Sequence, residues 1–147
     1  MTDREALWDK AASYKTCMLV TQVEGQMRAR PMRPILDRQT CEIQFLASKL
    51  DLKDDEIAAD SDVCLTFAGE GDEFLSISGK AQLSTNHALI VSLWGPHAEP
   101  YFERGLADPN IVVIVVKPGH AEIWQGAKTL TTLFGTASQA PTARTVE

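Results

Sequence analysis

Six consecutive β-branched residues, Ile111-Val112-Val113-Ile114-Val115-Val116, constrain this chain more than any other feature. Branching at Cβ narrows χ1 and suits the pleated surface of a strand better than a helix. Strand side chains alternate between two faces, so a continuous apolar run leaves neither face for water. The sheet that holds this segment has to be covered on both sides there. A chain of 147 residues predicts one domain, large enough to bury roughly two-thirds of the surface it exposes when unfolded.

The remainder reads as short strands joined by tight turns. Asp3 to Ser13 carries Ala6, Leu7, Ala11 and Ala12 at helical spacing and predicts an amphipathic helix. Strands follow over Cys17–Val23 and Gln26–Leu36, with Glu24-Gly25 as the turn between them. Asp37 to Thr40 turns into a third strand, Cys41–Ala47, and Asp51–Ala59 reads as a helix. Asp62–Ala68 and Phe74–Ser84 pair around the loop Gly69-Glu70-Gly71-Asp72. A second helix spans about Asn86 to Trp94, with Ser84 or Thr85 as its N-cap. The β-branched run ends at Lys117, and Pro118-Gly119 turns it into a last strand, His120–Trp124. Six or seven short antiparallel strands, with helices at the ends and one crossover, predict a mainly β fold closed into a small barrel. Residues 1–126 form that domain, and 127–147 form a tail that is partly flexible or packed on a partner subunit.

Composition narrows the function classes. The net charge of −6 argues against a nucleic-acid binder, because phosphate backbones are met by basic faces. An anionic ligand would need a local basic pocket inside an acidic protein. No apolar run approaches the roughly 20 residues that span a bilayer, and Met1 to Lys10 lacks the apolar core of a signal peptide. Cys17, Cys41 and Cys64 are isolated and odd in number, which suits a reducing cytoplasm and buried thiols. No CxxC pair or nearby histidine suggests a metal site, and neither a P-loop nor a GxGxxG motif is present.

Basic side chains gather at one point in the strand order. Arg28-Ala29-Arg30-Pro31-Met32 lies on the second strand, and Phe45-Leu46-Ala47-Ser48-Lys49 runs off the third toward Lys53 at a helix start. A phosphomonoester carries nearly two negative charges, and the arginine fork matches its oxygens. A helix N-terminus adds N–H donors and a favourable dipole. From spacing alone, solvated surface charges explain Arg30 and Lys53 equally well.

This order of segments, continued by Ser76-Ile77-Ser78-Gly79-Lys80-Ala81, Leu93-Trp94, Ala107-Asp108-Pro109 and Ala121-Glu122-Ile123-Trp124, resembles the general stress protein 26 group. These are FMN-binding split barrels of the pyridoxamine 5'-phosphate oxidase-like kind, and the likeness covers roughly residues 5 to 126. The resemblance implies a cytoplasmic homodimer with FMN clefts between subunits. It places Arg30 and Lys53 on the flavin phosphate, and Pro31 and Met32 along the isoalloxazine ring. It places Phe45, Leu46 and Ala47 beside the ribityl chain, and Trp124 on the partner's flavin. The long apolar strand, with no face for water, agrees with a dimer.

Two departures qualify what the resemblance implies. Such proteins usually carry hydroxyl residues where this chain has Ala47 and Asp51. Ser48 and Lys49 can compensate from the turn, and Asp51 either faces the phosphate, where its charge repels, or caps its helix. After Trp124-Gln125-Gly126, Lys128 is the only cation in Ala127 to Phe134 and no histidine follows, so pyridoxamine phosphate oxidation itself is not expected. The expected function is that of a flavoprotein oxidoreductase of unknown substrate. Alternatives are a non-catalytic flavin buffer, or a barrel that has lost FMN and takes haem or another anion. His87, His97 and His120 are the histidines a haem could use. The flavin ring performs electron or hydride transfer itself, so no conspicuous acid–base pair is required.

Overall fold

The computed structural model describes residues 3–52, 56–57, 61–133 and 143–146. Helix α1, Asp3–Ala12, opens the chain and buries Leu7, Trp8 and Ala11 on one face, as helical spacing dictates. Strand β1, Cys17–Val23, alternates Cys17, Leu19 and Thr21 inward, and Glu24-Gly25, both at positive φ, turns it into β2, Gln26–Met32.

The expected long second strand is in fact two. Pro34, which lacks an N–H, ends the pairing with β1, and β3, Ile35–Asp37, pairs instead with β4, Glu42–Ser48. Between them the Asp37 carboxylate accepts from the N–H groups of Gln39 and Thr40. Strands β5, Ser61–Ala68, and β6, Glu73–Ser84, form the predicted hairpin. Helix α2, His87–Leu93, is capped by Asn86, whose Oδ1 accepts from Leu89 N at 3.1 Å, while Ser84 bonds Asn86 N from outside the helix. The cap is therefore Asn86, not Ser84 or Thr85.

The β-branched run begins β7, a single 15-residue strand from Ile111 to Gln125. Pro118-Gly119 does not turn it. Its partner β6 continues alongside, and the register slips between Ser78 and Gly79, so the pair absorbs Gly119 as a bulge. Gly79 permits this because a Cβ there would press into the Lys117 carbonyl. Strand β8, Lys128–Leu133, pairs with β7, and β9, Ala143–Val146, pairs with β8.

All strands join one antiparallel sheet in the order β2-β1-β5-β6-β7-β4-β3, with β8 and β9 added at β7. Ile114 and Val116 pack into the main core with Leu19, Phe45, Leu65 and Ile77. Ile111, Val113 and Val115 face the other way, under Ile90 and Leu93 of α2 and Ala98 and Phe102 behind it. Both faces of the run are thus covered, one by the barrel interior and one by the crossover.

Cys17 is buried at the start of β1, and burial pushes its thiol up to about 12. Iodoacetamide should label Cys41 and Cys64 well before Cys17 in the folded protein, since only the thiolate reacts. Denaturant should equalise the three; equal rates without it would contradict this burial. Because the folded value is raised, the unfolded thiol ionises first, and Cys17 costs stability as pH climbs from about 8.5 toward 12.

Candidate functional site

Alternation along β2 sends Arg28, Arg30 and Met32 to the inner side of the strand, and Ala29 and Pro31 outward. Arg28 lies opposite Thr21 and Arg30 opposite Leu19 of β1, so two cations share one face at the rim of the core. Two guanidiniums two residues apart on a half-buried face need an acceptor nearby.

The segment after β4 supplies it. The Ser48 hydroxyl accepts from Leu50 N at 3.2 Å and caps a short 3-10 helix, Lys49–Asp51. That turn aims the Asp51 carbonyl at β2, where it accepts from Arg28 Nη1 at 3.2 Å and Arg30 Nη1 at 3.1 Å. Glu56, fully buried, completes the cluster. Its Oε1 accepts from Arg28 Nη1 at 3.1 Å, and its Oε2 takes Thr21 Oγ1 at 2.6 Å and pairs with Arg30 Nη2. Burial pushes the Arg30 pKa down, the neighbouring Arg28 charge adds to that, and Asp51 opposes both. This contact also closes the sheet, since β2 and β4 lie near its opposite ends.

Two kinds of donor remain. The outer part of Arg28, whose side chain is 41% exposed, makes no bond beyond its Nη1 contacts among the described residues. Arg30 Nε is buried and finds no hydrogen-bond partner there either. Beside them, β3 covers β4 only over residues 42–44, so among the described residues 46–48 pair with β7 alone and keep one strand edge open. Oxygen-rich anions fit this set: a guanidinium edge, the Ser48 hydroxyl proton and the exposed Lys49.

The sequence candidates divide accordingly. Arg30, Ser48 and Lys49 meet at this corner. Pro31 faces outward opposite Met18, while Met32 and Ala47 pack on the main core. Phe45 is completely buried in that core, so any contact it makes with a ligand runs through backbone, while Leu46 is half-buried beside α2. Lys53 lies outside the described residues, as does most of the helix expected over Asp51–Ala59. Asp51 ends the 3-10 turn that Ser48 caps, and Leu52 is extended; the Lys53 N–H it was expected to cap lies outside the described residues. Trp124 sits at the far end of β7 from Ile111 and Val112, the partners of Ser48 and Ala47. There it lines a groove of about 560 Å³ with Met18, Thr66, Phe74 and Ser76. One chain therefore does not bring Trp124 to the arginines.

Glu56 is the residue that sequence reasoning passed over, and Arg28 was named in the basic run but given no role. Their signal was available: Arg28 and Arg30 two apart on a strand share a face, and the acidic stretch after β4 was the nearest source of a counter-charge. The three histidines lie apart, in α2, the turn after it and β7, and among the described residues no group of His, Cys, Asp or Glu is placed to hold a metal ion. Among those residues, too, no helix is long and apolar enough to cross a membrane.

Comparison with known proteins follows the same lines. The profile of the family described as pyridoxamine 5'-phosphate oxidase like matches residues 2–147. General stress protein 26 of Bacillus subtilis is 27% identical over 119 residues, 78% of this chain and 83% of that protein. The general stress FMN/FAD binding protein of Xanthomonas citri superimposes with a TM-score of 0.71 at 28% identity, covering 92% of each chain. A Clostridium acetobutylicum protein related to general stress protein 26 superimposes at 0.74 over 88% of this chain and 95% of its own, at 18% identity, a likeness of fold. With its strand order, its rim of arginines and a profile match over nearly its whole length, this chain belongs to the pyridoxamine 5'-phosphate oxidase-like family and is similar to its general stress protein 26 members.

Proposed function

We propose that the protein binds FMN as a homodimer and works as an oxidoreductase other than a pyridoxamine phosphate oxidase. The observation that carries this reading is the cationic corner of Arg28 and Arg30, with free donors beside the open edge of residues 46–48. Arg28 and Arg30, Ser48 and Lys49 would hold the phosphate, and main-chain groups of 46–48 would flank the ribityl chain. When bound, the flavin supplies redox chemistry that no side chain here provides. The FMN/FAD-binding relative from Xanthomonas citri supports the cofactor class.

A second copy belongs to the same reading. Met18 and Phe74 are exposed apolar residues on the outer sheet face, and with Trp124 they border a groove that a second subunit can cover. Such a subunit would bring its own Trp124 to the flavin that its partner holds.

The test is the visible spectrum of the purified protein before and after incubation with excess FMN and desalting, with light scattering for mass. The expected result is about one flavin retained per chain on a dimer, with FMN held at least tenfold more tightly than riboflavin. Colourless protein of monomer mass after desalting would sink the reading, and a Soret band would redirect it to haem.

A further inference from the structure

The groove at Trp124 differs from the arginine corner in carrying no charge of its own. Its volume of about 560 Å³ is that of a small-molecule site, and its floor is the outer sheet face over β1, β5, β6 and β7. Register arranges that floor in rows: Met18 stands opposite Thr66, Thr66 opposite Ser76, and Phe74 opposite Trp124. Met18 is also the partner of Pro31, so the floor continues onto β2, the strand that carries Arg28 and Arg30. Met18 and Phe74 leave 37% and 45% of their surfaces to solvent, apolar area that a flat ring can cover. Thr16, Thr66 and Ser76 add hydroxyl donors. Among the described residues, the buried Cys17 thiol is the only ionisable side chain in the lining. Glu122 lies just outside, opposite Ser76 on β7, with its Oε1 3.9 Å from His120 Nε2. A charged substrate would enter this groove without a counter-charge, and an anion would also meet Glu122.

We propose that this groove takes an uncharged, largely apolar ring compound of the quinone class, with its carbonyl oxygens on the Thr66 and Ser76 hydroxyls. The inference rests on the flavin reading above, in which a second subunit brings its flavin to this Trp124 and roofs the groove. It adds the substrate class to that reading. Apolar area selects the ring, hydroxyl donors select its oxygens, and the missing counter-charge rejects phosphorylated or carboxylated compounds.

The experiment titrates naphthoquinone and naphthoquinone sulfonate, which carries one negative charge on the same ring, into FMN-loaded protein. The heat of binding is followed with no electron donor present. The neutral quinone should bind about tenfold or more tightly than the sulfonate. Thr66→Val, which removes only the hydroxyl, should weaken the neutral quinone by about two- to tenfold with flavin content unchanged. Thr66→Lys should reverse the order of the two probes, and the exposed position of Thr66 lets the fold carry the change. Equal affinities, a tighter sulfonate, no binding of either probe, or Thr66 variants that match wild type overturn the inference while leaving the flavin reading intact. Protein that retains no flavin overturns both.

Discussion

Glu56→Gln is expected to lower unfolding stability by about 3–5 kcal/mol, the usual loss when one member of a buried ion pair is removed. Glu56 is completely buried, and both of its oxygens serve Arg28, Arg30 and Thr21. The amide would turn an N–H toward a guanidinium or toward the Thr21 hydroxyl, leaving Arg30 largely buried beside a donor. Arg28 relieves part of the strain by swinging into water, so most of the loss belongs to Arg30. Urea unfolding provides the measurement. Combining Glu56→Leu with Arg30→Met should recover part of the loss, because an apolar pair carries no unmatched charge. A Glu56→Gln variant within about 0.5 kcal/mol of wild type would show that the carboxylate is not what closes β2 onto the turn after β4.

Phe45→Ala should cost a similar amount, about 3–5 kcal/mol, for a different reason. Phe45 is completely buried and packs with Ile43, Leu65, Ile77 and Ile114, where truncation leaves a cavity the sheet cannot collapse around. The resemblance placed this residue beside the ribityl chain, and only the backbone of β4 is available for that. Phe45→Leu, which keeps most of the volume, should therefore hold flavin as well as wild type while losing a smaller part of the stability. Flavin loss in Phe45→Leu at unchanged stability would mean that the ring itself faces the ligand. The two substitutions separate the roles that strand position alone had merged.

Much of this architecture was legible in the residues. The Ile111–Val116 run demanded a strand covered on both faces, and it has the barrel core on one side and α2 on the other. Glu24-Gly25, the Asp37 turn and the loop before Glu73 were readable because turn chemistry is local. Pro118-Gly119 was misleading: both residues disfavour an ordinary strand, yet a long partner and the tolerance of Gly79 keep the chain extended. The break at Pro34 and the transfer of β3 to β4 depend on which edge is open, and no local pattern encodes that.

The candidate site divides along the same boundary. The amino-acid order by itself placed the basic run Arg28 to Met32 on a strand and Ser48 and Lys49 in the turn beyond the next one, because strand propensity and turn chemistry act over a few residues. Only the tertiary structure decided that these two places meet, through Asp51 and a Glu56 that sequence showed merely as one acid among several. The reason is physical: an ion pair forms where barrel closure removes water, and closure is a property of the whole sheet.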